Sequence, residues 1–217
     1  YDGINDMLTN IKKAGFKTIK TTPAIVQIKT ETDIVKQLKG VKIDANATLL
    51  AEGKKLRTDF GEVLFTDYGL SGPPILQISR GVSVSKSECE VSLDIMPDID
   101  FSTLEEKLKV RVKELSQRNL DEFFTGMLQK RIGQVLLKTI GCRLSDKTET
   151  LDGQKIKRIA HLMKHWKFSV LGTTGFLNSQ VTAGGLSTDE FFNTTMECKT
   201  AKGLYCIGEI LDIDGDC

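Results

Sequence analysis

The cysteine and histidine residues are the first candidates for chemistry in this sequence. Five cysteines are scattered without a Cys-x-x-Cys pair, and their odd number indicates reduced thiols rather than a closed disulfide framework. His161 and His165 are the only histidines, and their spacing would place both rings on one helix face. No cysteine is close to them in sequence, so a solvated or packed pair is favoured over a zinc site. We predict no metal site and assign no catalytic acid, base or nucleophile.

Glycines and acidic residues in the last quarter of the chain are a second group of candidates. The run Thr182-Ala183-Gly184-Gly185 interrupts a strand pattern, and residues 204–207 have the pattern of a buried strand that leads to another glycine and three acids: Gly208, Glu209, Asp212 and Asp214. Taken alone, both stretches are explained by glycine turns with solvated acids. A Gly-x-Gly-x-x-Gly loop, which holds pyrophosphate in dinucleotide-binding folds, does not occur in the sequence.

A strand, a glycine turn and the start of a helix are predicted over residues 65–78. Ser71 can cap this helix, and Pro73 suits its first position, where the missing N–H would have no partner. The free amides of such a helix start can hold an anion, although capping by Ser71 already accounts for the residue types. Both interpretations remain open.

The elements that must position these residues begin with a short helix and a set of strands. Apolar residues at helical spacing predict a helix over residues 4–14 with Gly15 as its C-cap. Runs rich in β-branched residues between 16 and 65, with a turn at 59–62, and an alternating run at 90–96 predict a barrel or small sandwich.

A helical part and a second group of strands follow. Three apolar stripes at helical spacing occupy residues 101–166, and Ser102 or Thr103 can cap the first of these helices. Strand patterns then resume at residues 168–171, 176–181, 196–199 and 204–207. The order is therefore β, then α, then β.

Charge is unevenly distributed along the chain although the net charge is only +1. Residues 107–167 contain 15 Lys and Arg against 6 Asp and Glu, whereas the rest of the chain is acidic. This asymmetry fits either a basic surface that meets an anionic partner or an intramolecular complement. The sequence has neither a run of about 20 apolar residues nor a signal peptide, which predicts a soluble, cytoplasmic protein with no membrane partner.

Four stretches together resemble one bacterial family, the YhiN/BaiN-type NAD(P)/FAD-dependent oxidoreductases. They are GEVLFTDYGLSGP at 61–73, VTAGG at 181–185, MECK at 196–199 and GLYCIGEILDIDG at 203–215. They occur in the family's order over nearly the whole chain. In that family a long insertion, a β-barrel carrying a helical lobe, splits the dinucleotide-binding domain.

The resemblance implies an α+β fold, with a β-barrel-like domain, an inserted helical subdomain and flanking remnants of a split FAD-binding α/β domain. The end of the first FAD-domain half would occupy residues 1–16 and the start of the second half residues 186–217. Between them would lie the first part of the barrel at 17–100, the helical subdomain at 101–166 and a β-rich return at 167–185.

The resemblance also implies a role for the two glycine turns. Gly208 would let the backbone approach FAD closely, and the acids beyond it would accept hydrogen bonds from ribityl or ribose hydroxyls. The implied FAD-binding residues are Thr182, Gly184, Gly185, Gly208, Glu209, Asp212 and Asp214. The family's phosphate loop would lie before Tyr1, and a further motif after Cys217. We therefore expect a fragment that binds FAD weakly or not at all and has little or no activity alone.

Three functions remain open at this point. The first is the insert or cap of a FAD-dependent oxidoreductase, which shapes substrate access to the flavin; its partners would be the remaining FAD-binding domain, a small-molecule substrate and NAD(P)H. The second is a nucleic-acid-binding module that uses the basic helical subdomain, which we consider less favoured because a solvated helix surface explains the charges more simply. The third is an insertion that mediates subunit contact.

Overall fold

The computed structural model describes residues 9–216. The helix predicted over residues 4–14 therefore lies partly outside the described residues, and residues 9–13 are helical. Gly15 ends this helix with a φ of +95°, and its amide donates to the Lys12 carbonyl while the Phe16 amide donates to the Ile11 carbonyl. This pair of bonds is a Schellman C-cap, so the predicted role of Gly15 is confirmed.

The strands form a closed barrel and a separate two-stranded sheet. Their bounds are β1 Thr18–Ala24, β2 Ile28–Thr30, β3 Lys42–Ala51, β4 Lys54–Phe65, β5 Gly69–Ser71, β6 Cys89–Asp94, β7 Trp166–Thr173 and β8 Val181–Leu186. The barrel closes in the order β2, β5, β4, β3, β6, β7, with every neighbouring pair antiparallel, and β1 pairs with β8 in the small sheet. Closure gives each barrel strand a neighbour on both sides.

The hairpin of β3 and β4 is longer than the sequence predicted. Glu52 and Gly53 both have positive φ in its two-residue turn, as such hairpins require. The turn predicted at 59–62 is wrong, because Gly61 pairs with Ala45 and β4 continues to Phe65. The continuous ladder satisfies the backbone groups that a turn would have left unpaired.

An aromatic cluster occupies the barrel interior. Phe65, Trp166 and Phe168 are buried, and their ring centroids lie 5.5 to 6.0 Å apart. Aliphatic side chains from the other strands complete this core, among them Ile28, Leu49, Leu70, Val91 and Leu93. The alternation of these residues along the strands is the period-two pattern that the sequence displays.

Three of the five labelled helices form a lobe between β6 and β7. Their bounds are α1 Thr32–Gln37, α2 Pro73–Val84, α3 Phe101–Glu114, α4 Lys130–Thr139 and α5 Gly153–Lys164, and two 3₁₀ turns lie at Leu120–Glu122 and Thr148–Thr150. The predicted α+β class, a barrel with an inserted helical part, is confirmed. The exact domain boundaries proposed from the sequence stay predictions.

Both helix caps predicted from hydroxyl residues are wrong. Asp100, not Ser102 or Thr103, caps α3, and its carboxylate accepts from the Thr103 amide at 3.0 Å and from both hydroxyls. The cap of α2 is Gly72 rather than Ser71, which still pairs with Leu64 in the sheet. A Cβ at Gly72 would lie 2.1 Å from the Glu62 carbonyl oxygen, so this position admits no side chain.

The start of α2 also lacks the amides that an anion site needs. Pro73 and Pro74 have no N–H, and the amides of Ile75 and Leu76 both donate to the Gly72 carbonyl. The anion-binding interpretation of this segment is therefore wrong, whereas the predicted proline at the first helical position is confirmed.

The segment after β8 does not contain the strands predicted from its pattern. Residues 196–199 and 204–207 form only isolated bridges, Phe191 with Cys198 and Glu197 with Tyr205. Residues 204–207 are not buried, since Ile207 is 75% exposed and Tyr205 58% exposed. No described neighbour continues a ladder beside them. Across residues 9–216, none of the helices combines the length and apolar character that crossing a membrane requires.

Candidate functional site

The run of residues 182–185, predicted to interrupt a strand, is wrong as a turn, because it belongs to strand β8 and pairs there with β1. This part of β8 lies against the second predicted glycine segment, which begins at Gly208. The Glu209 carboxylate accepts a hydrogen bond from the Thr182 amide, and the Asp212 carboxylate accepts from the Gly184 amide at 3.1 Å. The Asp212 amide in turn donates to the Leu186 carbonyl at 2.7 Å. Strand β8 and residues 209–212 are thus joined by side-chain and backbone bonds across a sequence separation of more than 20 residues.

Gly184 and Gly185 are required by the protein's own backbone. A Cβ at Gly184 would lie 2.3 Å from the Lys20 carbonyl oxygen on β1, and one at Gly185 would lie 2.4 Å from the Ile210 carbonyl oxygen. Both residues also have positive φ, which disfavours any side chain. These glycines therefore let β1, β8 and residue 210 approach one another closely.

Gly208 has a different environment. Its φ is +76°, and no heavy atom lies within 4 Å of the position that a Cβ would take. Its neighbour Ile207 is exposed. The backbone at Gly208 is therefore open to a flat group from outside, which is the condition that the predicted flavin contact requires.

Two arginines from the barrel side connect to the acidic segment. Arg80 on α2 forms an ion pair with Asp214 at 2.6 Å, and the Asp214 side chain is only 7% exposed. Arg57 on β4 pairs with Asp216 at 2.7 Å, and this hydrogen bond lowers the pKa of the Asp216 carboxyl. A cleft of about 490 Å³ lies here, lined by Ile25, Arg57, Gln77, Arg80, Thr188 and residues 212–216.

Of the residues predicted to contact FAD, Gly208 has room for a flavin, whereas the carboxylates of Glu209, Asp212 and Asp214 already have partners within the protein. Gly208 leaves room for close approach, as described above. Glu209 and Asp212 each bond β8 through one carboxylate oxygen, and Asp214 forms an ion pair with Arg80. The acids consequently act here as positioning groups, and their contact with a cofactor stays a prediction.

Sequence reasoning missed Arg57 and Arg80. Their partners lie 159 and 134 residues away, and neither arginine has a distinctive local motif. Tyr68, a polar residue of the stretch at 61–73 that carries the family resemblance, is partly exposed and lies just before β5.

The cysteines and histidines show no built chemical centre in the described residues. Cys89, Cys142, Cys198 and Cys206 are free thiols, and no cluster of three or more His, Cys, Asp or Glu side chains in residues 9–216 could hold a metal ion. His161 and His165 lie on one face of the helix end, with ring centroids 5.1 Å apart. The predicted packed or solvated pair describes this arrangement.

The chain thus combines a closed barrel, a helical lobe between two of the barrel strands, and a segment at residues 208–212 that is bonded to β8. Residues 22–181 match the family described as HI0933-like protein barrel and H2TH domain, and the chain belongs to this family. The resemblance to the YhiN/BaiN-type flavin-dependent oxidoreductases is thereby confirmed.

Individual relatives agree with this family. The chain is 30% identical over 209 residues to a 3-dehydro-bile acid delta(4,6)-reductase of Clostridium scindens. It is 29% identical over 186 residues to a ribosomal RNA dihydrouridine synthase of Haemophilus influenzae, and 30% identical over 154 residues to one of Escherichia coli. These matches cover 95%, 85% and 70% of the chain, but only 51%, 44% and 36% of the three relatives.

Proposed function

We propose that this chain is the barrel and helical part of a FAD-dependent oxidoreductase and shapes substrate access to a flavin held mainly by the rest of the FAD-binding fold. The observation that carries the proposal is the junction of Thr182 and Gly184 with Glu209 and Asp212, beside the open backbone at Gly208. A junction of this kind would place the barrel next to the cofactor. FAD, when bound, supplies the hydride transfer, and NAD(P)H is the proposed electron donor.

The chain's own residues would orient the flavin and exclude water from it. Gly208 permits close approach of a ring or ribityl chain, and the Glu209 and Asp212 carboxylates fix the position of β8 relative to that glycine. The same segment exposes four apolar side chains, on which the remaining FAD-binding domain would pack: Leu204, Tyr205, Ile207 and Ile213. We further propose a bacterial, cytoplasmic protein, and we expect residues 1–217 alone to hold FAD weakly or not at all.

The test is an absorbance and fluorescence titration with FAD. Residues 1–217 are compared with a version extended at both ends by the flanking residues of the same gene. Uptake of FAD by the extended protein only is the expected result. If neither protein takes up FAD, the flavin-dependent function is wrong.

A matched pair of glycines locates the contact. Gly208→Ala and Gly203→Ala both replace a glycine of positive φ that has open space around it, with φ of +76° and +82°. Only Gly208→Ala should weaken FAD binding to the extended protein, since Gly203 lies outside the proposed contact. An equal effect of the two substitutions would attribute the loss to backbone strain and remove the proposed contact.

A second candidate function is binding of RNA as the substrate of the same oxidoreductase. It is favoured by the excess of Lys and Arg in residues 107–167 and by the two relatives named as ribosomal RNA dihydrouridine synthases. The relative from Clostridium scindens favours a small-molecule substrate instead. Salt-dependent binding of generic RNA to the extended protein supports the second candidate, and its absence at low salt excludes it.

A further inference from the structure

Two grooves meet on one side of helix α5. The first, which we call the lobe groove, has a volume of about 360 Å³ and is lined by Phe101, Gln154, Lys157, Arg158 and His161. The second, the barrel groove, has a volume of about 480 Å³ and lies over the outer faces of β3, β4 and β6. His161 lines both grooves, so they adjoin at this residue, and we call the two grooves together the depression.

The charge of this depression is positive. Lys157 and Arg158 are exposed, and none of the described residues that line the lobe groove is acidic. In the barrel groove the lining carboxylate is Asp94, and Lys164 already pairs with it at 2.7 Å. Lys55 adds a further cation on the barrel side. The excess charge is thus available to an anion from outside the protein.

Lys164 itself is not one of the available cations. Its ammonium group donates to the carbonyls of Met96 and Ile99 at 2.9 and 2.7 Å, and its side chain is mostly buried. Lys167 also has a partner, Glu90, at 2.8 Å. Lys157 and Arg158 are therefore the exposed cations of α5 on which binding would depend.

The depression also offers flat rings and uncharged hydrogen-bonding groups. Phe101 contributes a half-buried ring to the lobe groove, and the His161 and His165 rings lie 5.1 Å apart beside it. The barrel groove is lined by small polar side chains: Asn46, Thr48, Thr58 and Ser92. Rings beside cations and neutral polar groups are what unpaired nucleotides use, since each presents a flat base, a sugar hydroxyl and a phosphate.

We propose that this depression binds an unpaired stretch of RNA, with phosphates at Lys157, Arg158 and Lys55 and a base stacked at His161. The proposal rests on the second candidate function and assigns its binding surface to α5 and the barrel face, rather than to the basic lobe as a whole. A small apolar anion such as a steroid carboxylate would need only the lobe groove.

The test measures fluorescence anisotropy of a labelled oligouridine of about 12 nucleotides with the FAD-loaded extended protein over a range of salt concentrations. The double variant Lys157→Ala/Arg158→Ala is compared with Lys107→Ala/Lys113→Ala. The control removes the same charge from exposed positions on α3 that line neither groove. Retained FAD and an unchanged circular dichroism spectrum show that each variant is folded.

The α5 double variant should weaken binding about tenfold and reduce the slope of log affinity against log salt by about 1.4, because two phosphate contacts of about 0.7 each are lost. The control variant should change neither quantity by as much as half of this. His161→Ala should lower affinity and change the salt slope by less than the α5 double variant does, because a stacking contact is lost and no phosphate contact.

Three outcomes overturn the proposal. Equal losses in the two double variants mean that the lobe binds RNA through diffuse charge, so the second candidate function stands and the site does not. Absence of RNA binding at low salt excludes both the second candidate function and the proposed site. Full displacement of the RNA by cholate, with loss of cholate binding in the α5 variant, assigns the depression to a small apolar anion.

Discussion

Asp214 forms an ion pair with Arg80 at 2.6 Å although 134 residues separate them in sequence, and only 7% of the aspartate side chain is exposed. The neighbouring pair of Arg57 with Asp216 has the same chemistry, but the Asp216 side chain is 68% exposed. Residues 212–216 are thus attached to both β4 and α2 by pairs that differ in burial. Because the two ion pairs differ in burial, substitution of each aspartate compares a buried pair with an exposed one.

Asp214→Asn should destabilise this attachment more than Asp216→Asn. Asp214→Asn removes the charge of a buried side chain that faces Arg80, which should cost about 1 kcal/mol of the free energy that holds the segment in place. Asp216→Asn should cost less, because water screens the exposed pair. Hydrogen exchange of the amides in residues 208–216 measures the effect, and faster exchange is expected mainly in Asp214→Asn. Equal exchange in the two variants would contradict a holding role for Arg80.

Gly184→Ala and Gly185→Ala should each destabilise the protein by at least about 2 kcal/mol, because the new Cβ would overlap a backbone carbonyl oxygen and the φ is positive. Urea unfolding followed by circular dichroism measures this. Gly203→Ala is the control, since it has positive φ but open space, and should cost about 1 kcal/mol. If Gly184→Ala lowers the free energy of unfolding by no more than Gly203→Ala does, β1 can move away from the new side chain and the prediction is wrong.

Asp100→Asn should lower the Tm at neutral pH, because the carboxylate that caps α3 loses its charge. Hydrogen bonds from Ser102 and from the Thr103 amide and hydroxyl hold the pKa of Asp100 well below its ordinary value of 3.8. A carboxyl whose pKa is lower in the folded state than in the unfolded state stabilises the protein at any pH above the unfolded-state pKa. This stabilisation is lost as the pH falls through the folded-state pKa. The Tm difference between wild type and variant should therefore shrink in strong acid. A difference that persists there would exclude the charge as its cause.

The imidazole of His165 should titrate below the ordinary value of 6.5. Partial desolvation of the ring is the main cause that lowers the pKa of His165, and the neighbouring His161 lowers it further. Below pH 6.5 the unfolded chain then takes up the proton more readily than the folded one, so this residue makes the protein less stable as pH falls. NMR titration of wild type and His161→Gln checks this. The His165 midpoint should rise in the variant but stay below 6.5.

Sequence patterns predicted the parts of the fold that depend on local chemistry or on periodicity. Pro73 at the start of α2 and Gly15 at a helix end were correct, because both roles depend on the residue's own backbone. The cap at Asp100 was missed because three residues within four positions, Asp100, Ser102 and Thr103, are all of a type that can cap a helix, and only the backbone geometry selects one.

The candidate site was predictable only in part. Both glycine-containing segments were found from their residue types, but Gly184 and Gly185 lie in strand β8 rather than in the predicted turn. The contact of the two segments through Glu209 and Asp212 depends on tertiary structure. Ile207 was expected to be buried because an apolar run beside a glycine resembles a core strand. It is exposed because strand burial depends on a covering neighbour, which local sequence does not reveal.

The helical lobe leaves and re-enters the barrel at adjacent points. Leu93 on β6 lies opposite Trp166 on β7, so the chain returns to within one strand spacing of where it departed. A segment whose two ends lie this close together can be lengthened, shortened or exchanged without a change in the strands that it connects. The lobe is therefore a separable unit: its length and surface can change while the six strands of the barrel keep their pairing.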